Sequence, residues 1–301
     1  MTEPQATIVL PSFGRPAHVR DCLAALGALD GGPYPVVVVD DGSPEPLAPV
    51  CAPFGDAVRC IRQDNAGPGV ARNRGVAEAR TRLVLFIDDD CRPEPGWARA
   101  LIETQAGDPD ALVGGLVVNG LDRNVWSDAA QAILTYSYGA FGGFDGRLAF
   151  FTTNNLCVDR DRFLDLGGFD ASYAFASEDR DLSFRWKAAG GHLRHAPDAV
   201  VTHLHAMTGA GFLRQQYAYG RGARRFHGRV RDSGTGSVEM GGKAFYAGLL
   251  LHPLRRPTPR AVVRSVLIGT AHAAMLAGYL RERRAEGSGG PRRPTGDGRD
   301  A

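Results

Sequence analysis

The stretch Leu83-Val84-Leu85-Phe86-Ile87-Asp88-Asp89-Asp90-Cys91-Arg92-Pro93 decides the fold. Five apolar residues in a row predict a strand covered on both faces, because a strand with one wet face alternates apolar and polar residues. The run ends in three carboxylates, so a buried strand delivers concentrated negative charge to its carboxyl end. Like charges this close raise one another's pKa or demand a counter-ion. Read as continued strand, the tripeptide turns Asp88 and Asp90 to one face and Asp89 to the other. Such oxygen ligands suit a hard divalent cation, Mg²⁺ or Mn²⁺, which keeps open positions for substrate phosphates. A solvated acidic turn with some helix capping is the plainer alternative.

Upstream, the chain alternates strand and helix: strands at residues 7–10, 36–39 and 58–62, helices at 17–28 and 70–80. Val36-Val37-Val38-Val39 is again apolar throughout, which predicts an α/β, Rossmann-like, mostly parallel sheet flanked by helices. Ligands of such sheets collect outside the carboxyl ends of the strands. Those ends carry Pro11-Ser12, Asp40-Asp41-Gly42-Ser43, Gln63-Asp64-Asn65 and the acid run. Downstream, strands are expected at 111–119, 154–158, 191–194 and 199–203, and helices at 124–138, 160–166, 177–189 and 212–226. The glycine- and phenylalanine-rich run 139–146 reads as a loop able to close over a substrate, or as a plain connection. Residues 232–237 read as a linker.

Composition narrows the class. Hydrophobic residues make up 44% and charged residues 23% of the 301, too balanced for a disordered chain. A net charge of +2 with arginines spread along the chain argues against nucleic-acid binding. The five cysteines, Cys22, Cys51, Cys60, Cys91 and Cys157, are odd in number and form no Cys-x-x-Cys pair, which disfavours a disulfide scaffold or zinc ribbon and suggests a reducing cytosol. Residues 1–5 are polar and lead straight into a strand, so no secretory signal is expected.

Two apolar helices are expected at 243–251 and 260–280, the second interrupted by Arg264 and His272 and flanked by Arg255, Arg256 and Arg260. They suit a membrane interface, with arginines on anionic headgroups, or equally the flank of the catalytic domain or of a second copy of the chain. The glycine-, proline- and arginine-rich tail 287–301 is expected to be disordered.

The strand ends share one chemistry. Asp41, an acceptor only when ionised, can take a hydrogen bond from a base ring nitrogen. Asp88, Asp89 and Asp90 can hold a metal and a ribose. The turn Asn65-Ala66-Gly67-Pro68-Gly69 and the helix after it, with Arg72 and Arg74, suit the anionic part of a nucleotide. A dinucleotide fingerprint is disfavoured, because Arg72 stands where the third glycine belongs.

Six phrases occur in the order found in family 2 glycosyltransferases of the GT-A fold. They are Ile8-Val9-Leu10-Pro11-Ser12-Phe13-Gly14-Arg15, Val38-Val39-Asp40-Asp41-Gly42-Ser43, Asn65 to Gly75, Leu85 to Asp90, Gly167-Gly168-Phe169-Asp170 and Glu178-Asp179-Arg180-Asp181-Leu182. The chain resembles that family from about residue 6 to residue 225. The resemblance implies inverting transfer of a sugar from a nucleoside diphosphate donor, uridine being the expected base, to an acceptor hydroxyl on a sugar or lipid-linked carrier.

By that likeness Pro11 and Asp41 contact the base, Arg72 sits near base or phosphates, and Asp89 binds the ribose. Ser12, Arg15, Asp40, Asn65 and Asp88 complete the expected nucleotide set. Asp90, with Asp88 at the other end of the Asp-x-Asp motif, holds Mn²⁺ or Mg²⁺, and the likeness favours His203 as a third ligand over its strand-face neighbour His205.

Asp179 looks like the catalytic base, with Glu178 its nearest rival. A positioned carboxylate can take the acceptor proton, and the helix dipole is expected to keep Asp179 ionised. The alternative is that both acids only satisfy amides at the helix start. Gln215 to Gly222 lacks the Gln-x-x-Arg-Trp motif of processive relatives, which favours single-sugar addition.

The expected organisation is a transferase domain at 1–230, a helical extension at 231–286 and the tail. The place of the enzyme is expected to be cytoplasmic, peripheral on the membrane if 243–280 touch it, with a homodimer as a further partner state. A nucleotidyltransferase is the rival enzyme, disfavoured by Pro11-Ser12-Phe13-Gly14-Arg15 after the first strand. A non-catalytic nucleotide-binding module is the rival outside enzymes.

Overall fold

The computed structural model describes residues 5–140, 150–173, 176–234, 242–255 and 258–287. The chain divides into two compact units. The first comprises residues 1–120, 150–174 and 178–204, the second residues 121–149, 175–177 and 205–301.

The first unit is built on one eight-stranded sheet of order β3-β2-β1-β4-β7-β6-β8-β5. Its strands are β1 (Ala6–Ser12), β2 (Val36–Asp40), β3 (Val58–Arg62), β4 (Leu83–Phe86), β5 (Cys91–Pro93), β6 (Ala111–Asn119), β7 (Leu156–Asp159) and β8 (His192–His203). The strands β3, β2, β1 and β4 run parallel, as the apolar runs predict, and β6 is parallel to β8. The strands β7 and β5 are antiparallel to their neighbours. Its helices are α1 (Pro16–Leu26), α2 (Ala48–Cys51), α3 (Pro68–Glu78), α4 (Trp97–Gly107), α6 (Arg160–Asp165) and α7 (Glu178–Ala188). Every residue of β1, β2 and β4 is buried. One face packs Ile8, Leu10, Val38 and Leu85 against α1 and α4, including the fully buried Trp97. On the other face α3 comes so near β1 that a Cβ at Gly75 would run into Val9, so only glycine allows this helix and strand to touch.

The two short strands expected at 191–194 and 199–203 are a single strand, β8. Its pairing with β6 shifts register between Gly115 and Leu116, opposite Ala196 to Val200. The buried amide of Asn155 repairs this bulge: its Nδ2 donates to the carbonyls of Leu116 (3.0 Å) and Ala199 (2.8 Å), and its Oδ1 accepts from Trp97 Nε1 (2.8 Å).

The second unit is helical: α5 (Val125–Ala140), α8 (Gly209–Asp232), α9 (Lys243–Leu251) and α10 (Pro259–Gly287). Here α8 takes in Asp232, and α10 reaches Gly287, further than the sequence pattern implied. Phe212, Ala129, Met207, Leu267 and Ala271 form its core. The expected loop segment 141–146, the linker residues 235–237 and the tail residues 288–301 lie outside the described residues.

Candidate active site

Each parallel strand ends in a polar turn, and the turns are tied together. Behind β2, Asp40 is buried and accepts from the amides of Ser43 (2.9 Å) and Leu47 (3.1 Å) and from Arg62 Nη1 (2.8 Å). Burial alone would raise its pKa, but these donors together hold it below the usual carboxylate range. Asp41 accepts from Gln63 Nε2 (2.8 Å) and the amides of Ala66 (3.0 Å) and Gly67 (2.9 Å), so it fixes the turn that opens α3. Pro11 is buried in β1 opposite Val39, and Asn65 is exposed in that turn.

The acid run is a turn, not strand. The strand β4 stops at Phe86, and the Cys91 amide donates to the Asp88 carbonyl (3.1 Å), so Asp88 faces Arg72 while Asp89 and Asp90 share Arg15. This corrects the expected sharing of one face by Asp88 and Asp90, which assumed strand alternation. Asp88 Oδ1 pairs with Arg72 Nη2 at 2.6 Å. Asp89 is fully buried, accepts from Ser12 Oγ (2.5 Å) and pairs with Arg15 (2.7 Å). Asp90 pairs with Arg15 (3.1 Å) and, through Oδ1, with His203 Nε2 (3.3 Å). Burial pushes Asp89 up to about 7 even though Arg15 and Ser12 pull the other way.

The pairing of Cys91 with His203 across β5 and β8 delivers the imidazole, and the Leu204 amide donates to the Asp90 carbonyl (2.8 Å). Burial alone would lower the His203 pKa, but its hydrogen bond to Asp90 raises it. Asp90, Cys91 and His203 each offer a ligand atom within 4.8 Å of the others. Burial drives the Cys91 thiol well above its ordinary value, so it stays protonated and is a poor ligand. One carboxylate and one imidazole remain, a donor pair that fits Mn²⁺ or Mg²⁺ with open positions, and the nitrogen favours Mn²⁺ of the two. Asp88 is turned away from this pair toward Arg72.

Arg72, 4% exposed, links the acid turn to α7: Nη2 meets Asp88, and Nη1 meets Glu178 Oε1 at 3.4 Å. Its guanidinium lies 5.9 Å from the centre of the Phe169 ring, which packs edge-on against Phe86 and Phe163. Asn73, one residue on, holds the Gly167 to Asp170 turn: Oδ1 accepts from the Phe169 amide (2.8 Å) and Nδ2 donates to its carbonyl (2.7 Å).

Burial pushes Glu178 up to about 7, assisted by the Asp179 charge and opposed by Arg72. Asp179 is half-buried and is also raised, by loss of solvation, with Arg180 opposing. Burial thus works against the helix dipole that was expected to keep Asp179 ionised. Two neighbouring carboxyls with raised pKa values at a strand-end site match a proton-accepting pair.

Sequence reasoning assigned Arg72 to the nucleotide and missed its grip on Asp88 and Glu178; the only signal was an arginine in a helix turn rich in small residues. Asn73 was missed too, although it stands inside a quoted phrase.

The glycosyl transferase family 2 description matches residues 7–173. The chain belongs to that family, and its fold is a GT-A fold. It is 28% identical over 251 residues to the pre-mycofactocin glycosyltransferase of Mycobacterium tuberculosis, covering 81% of this chain but only 52% of that protein. It is 25% identical over 227 residues to glycosyltransferase AglE of Haloferax volcanii, covering 73% of each. Among solved structures, the mannosyltransferase PcManGT from Pyrobaculum calidifontis, in complex with GDP-Man and Mn²⁺, superposes with a TM-score of 0.69 at 13% identity, over 95% of this chain and 89% of that one.

Proposed function

We propose that the chain transfers one sugar, with inversion and with the help of a divalent metal, from a nucleoside diphosphate donor to an acceptor hydroxyl in glycoconjugate biosynthesis. The observation that carries this reading is the buried bridge Asp88–Arg72–Glu178, which joins an acid turn suited to a metal diphosphate to a pair of raised carboxyls suited to a base.

When bound, Mn²⁺ or Mg²⁺ would neutralise the charge that grows on the leaving diphosphate, and Asp90 and His203 would hold it. Asp41 uses three of its roughly four acceptor positions on Gln63, Ala66 and Gly67, which leaves one for a base ring N–H. Asp40 keeps the turn behind it in place. Ser12 and Arg15 orient Asp89 for the ribose hydroxyls. Asp179 takes the acceptor proton as the hydroxyl attacks, and Glu178 shares the proton load. Arg72 keeps both acid groups in register, and its buried Nε, without a hydrogen-bond partner among the described residues, is a donor in reserve. A single displacement with one base inverts the anomeric centre and needs no protein nucleophile.

Uridine is the base this reading favours, and guanosine, the base held by the mannosyltransferase of similar fold, is its competitor. The acceptor is a sugar or a lipid-linked sugar. Thermal shift and donor hydrolysis with UDP-, GDP- and dTDP-sugars in Mn²⁺, Mg²⁺ and EDTA test the proposal. Metal-dependent stabilisation by one nucleotide, with slow release of its diphosphate, supports it; indifference to every nucleotide and metal sinks it.

A further inference from the structure

The helical unit pairs its acids inward and shows aliphatic side chains and arginines on its surface. On α10, Val262, Val266, Ala273, Leu276 and Leu280 are exposed and recur at helical spacing, so they form one stripe. Val262, Val266 and Leu276 are 57%, 60% and 59% exposed. Leu250 of α9 lies beside Gly269 of that stripe, and Leu251 and Leu254 extend the apolar surface.

The charged residues of α10 that point inward are already partnered. Arg264 grips Asp128 of α5 with Nη2 at 2.6 Å and Nε at 2.9 Å. Glu282 accepts from Arg221 (2.9 Å) and Arg225 (2.6 Å), and Glu286 pairs with Arg224 (2.6 Å), all from α8. The contact between α8 and α10 is close, since a Cβ at Gly278 would run into the Tyr217 carbonyl and one at Gly220 into Met275.

The remaining charge is of one sign. Residues 242–287 hold eight lysines and arginines against Glu282 and Glu286, and α8 takes both acids. Among the described residues, Lys243, Arg255, Arg260, Arg281, Arg283 and Arg284 make no ion pair. An aliphatic stripe ringed by unpaired arginines complements a phosphate-bearing lipid surface. A second copy of this face would set like charges against each other.

We propose that α9 and α10 dock the protein on an anionic phospholipid bilayer, lying in its interface with the stripe in the acyl boundary and the arginines among the phosphates. By length and composition alone α10 could also cross a membrane. Its close contact with α8, which carries Arg214, Arg221, Arg224, Arg225, Arg229 and Arg231, excludes that path, because those arginines would follow it into hydrocarbon.

The test is flotation of the full chain with vesicles of phosphatidylcholine alone and of phosphatidylcholine with phosphatidylglycerol. Binding to the anionic vesicles is expected to be at least about ten-fold tighter and to weaken at high salt. Arg283→Ala and Arg284→Ala should each weaken it about five-fold. Val266→Gln combined with Leu276→Gln, at exposed positions, should remove most of it without lowering the melting temperature. The arginine variants keep the test alive should the glutamines disturb folding. Absence of binding to anionic vesicles, or parental binding by the double glutamine variant, overturns the proposal. A dimer in sedimentation that this variant dissolves, with no vesicle binding, assigns the face to a second copy instead.

Discussion

Two clusters of this molecule, one at the acid turn and α7 and one between α8 and α10, bury carboxylates beside arginines with opposite balance. In the sheet unit, Asp89 and Glu178 are pushed up to about 7: burial costs them more than Arg15 and Arg72 return. In the helical unit, burial would raise Glu282 as well, but Arg225 and Arg221 together hold it below its ordinary value. A compensated carboxylate is scaffold, and an undercompensated one keeps electrostatic capacity for a ligand or a proton. The direction of the shift, not the presence of an arginine, separates site from support.

The largest break of that contrast is at α7. Asp179→Asn removes the proposed proton acceptor and should cut kcat by about 10²- to 10⁴-fold while leaving nucleotide affinity in place. Isothermal titration with the diphosphate beside steady-state rates checks it. Equal turnover by mutant and parent would transfer the role to Glu178 or end the base reading.

Glu282→Ala makes the reverse claim. It strands Arg221 and Arg225 in the α8–α10 contact and should cost about 2 kcal/mol of stability, below the full penalty for a buried pair because Arg221 reaches solvent. Turnover per folded molecule should not change. Denaturant titration and specific activity separate the two effects, and a loss of kcat at full stability would tie Glu282 to the chemistry.

The two regions should also respond to pH with opposite sign. The ordinary Glu value is 4.5, and Glu178 titrates near 7 in the folded chain. Between those values the native state binds more protons than the unfolded one, so this site's contribution to stability falls as pH rises through the window and is level above it. Glu282 is depressed, so its contribution is present above 4.5 and is lost as pH falls through its lower folded value. On the proposed mechanism the Glu178–Asp179 pair acts deprotonated, so the rate should fall about ten-fold per pH unit below about 7, with an apparent pKa that belongs to the pair. A flat profile from pH 5 to 8 would remove the raised pair from the rate.

Much of this was legible in the chain. The unbroken apolar runs at 36–39 and 83–87 announce parallel strands, and the polar residues at their ends mark the site, because both follow from local periodicity. What was not legible depends on distance in sequence. Nothing near Arg72 shows that it reaches Glu178, 106 residues away. The end of β4 at Phe86 decides where the three acids point, and reading the strand on through them misassigns their faces. The single strand β8 was split in two by Pro197-Asp198, since the Asn155 amide that bridges the bulge comes from another part of the chain.

The smallest expected effect lies two residues from one of the largest. Arg72 and Arg74 share α3, and both were expected to serve the anionic part of the nucleotide. Arg74 is 56% exposed in its side chain and pairs along its own helix with Glu78 at 3.1 Å. An exposed pair at this spacing is worth about 0.3–0.5 kcal/mol, so Arg74→Ala should shift stability by no more than that and leave donor binding unchanged. Arg72→Met, nearly isosteric, removes the cation between Asp88 and Glu178, so it should raise the pKa of the carboxyl pair further and move the acid limb of the rate profile to higher pH. If Arg74→Ala instead weakens diphosphate binding ten-fold, the exposed arginine reaches the ligand and the division between buried bridge and solvated neighbour is redrawn at that residue.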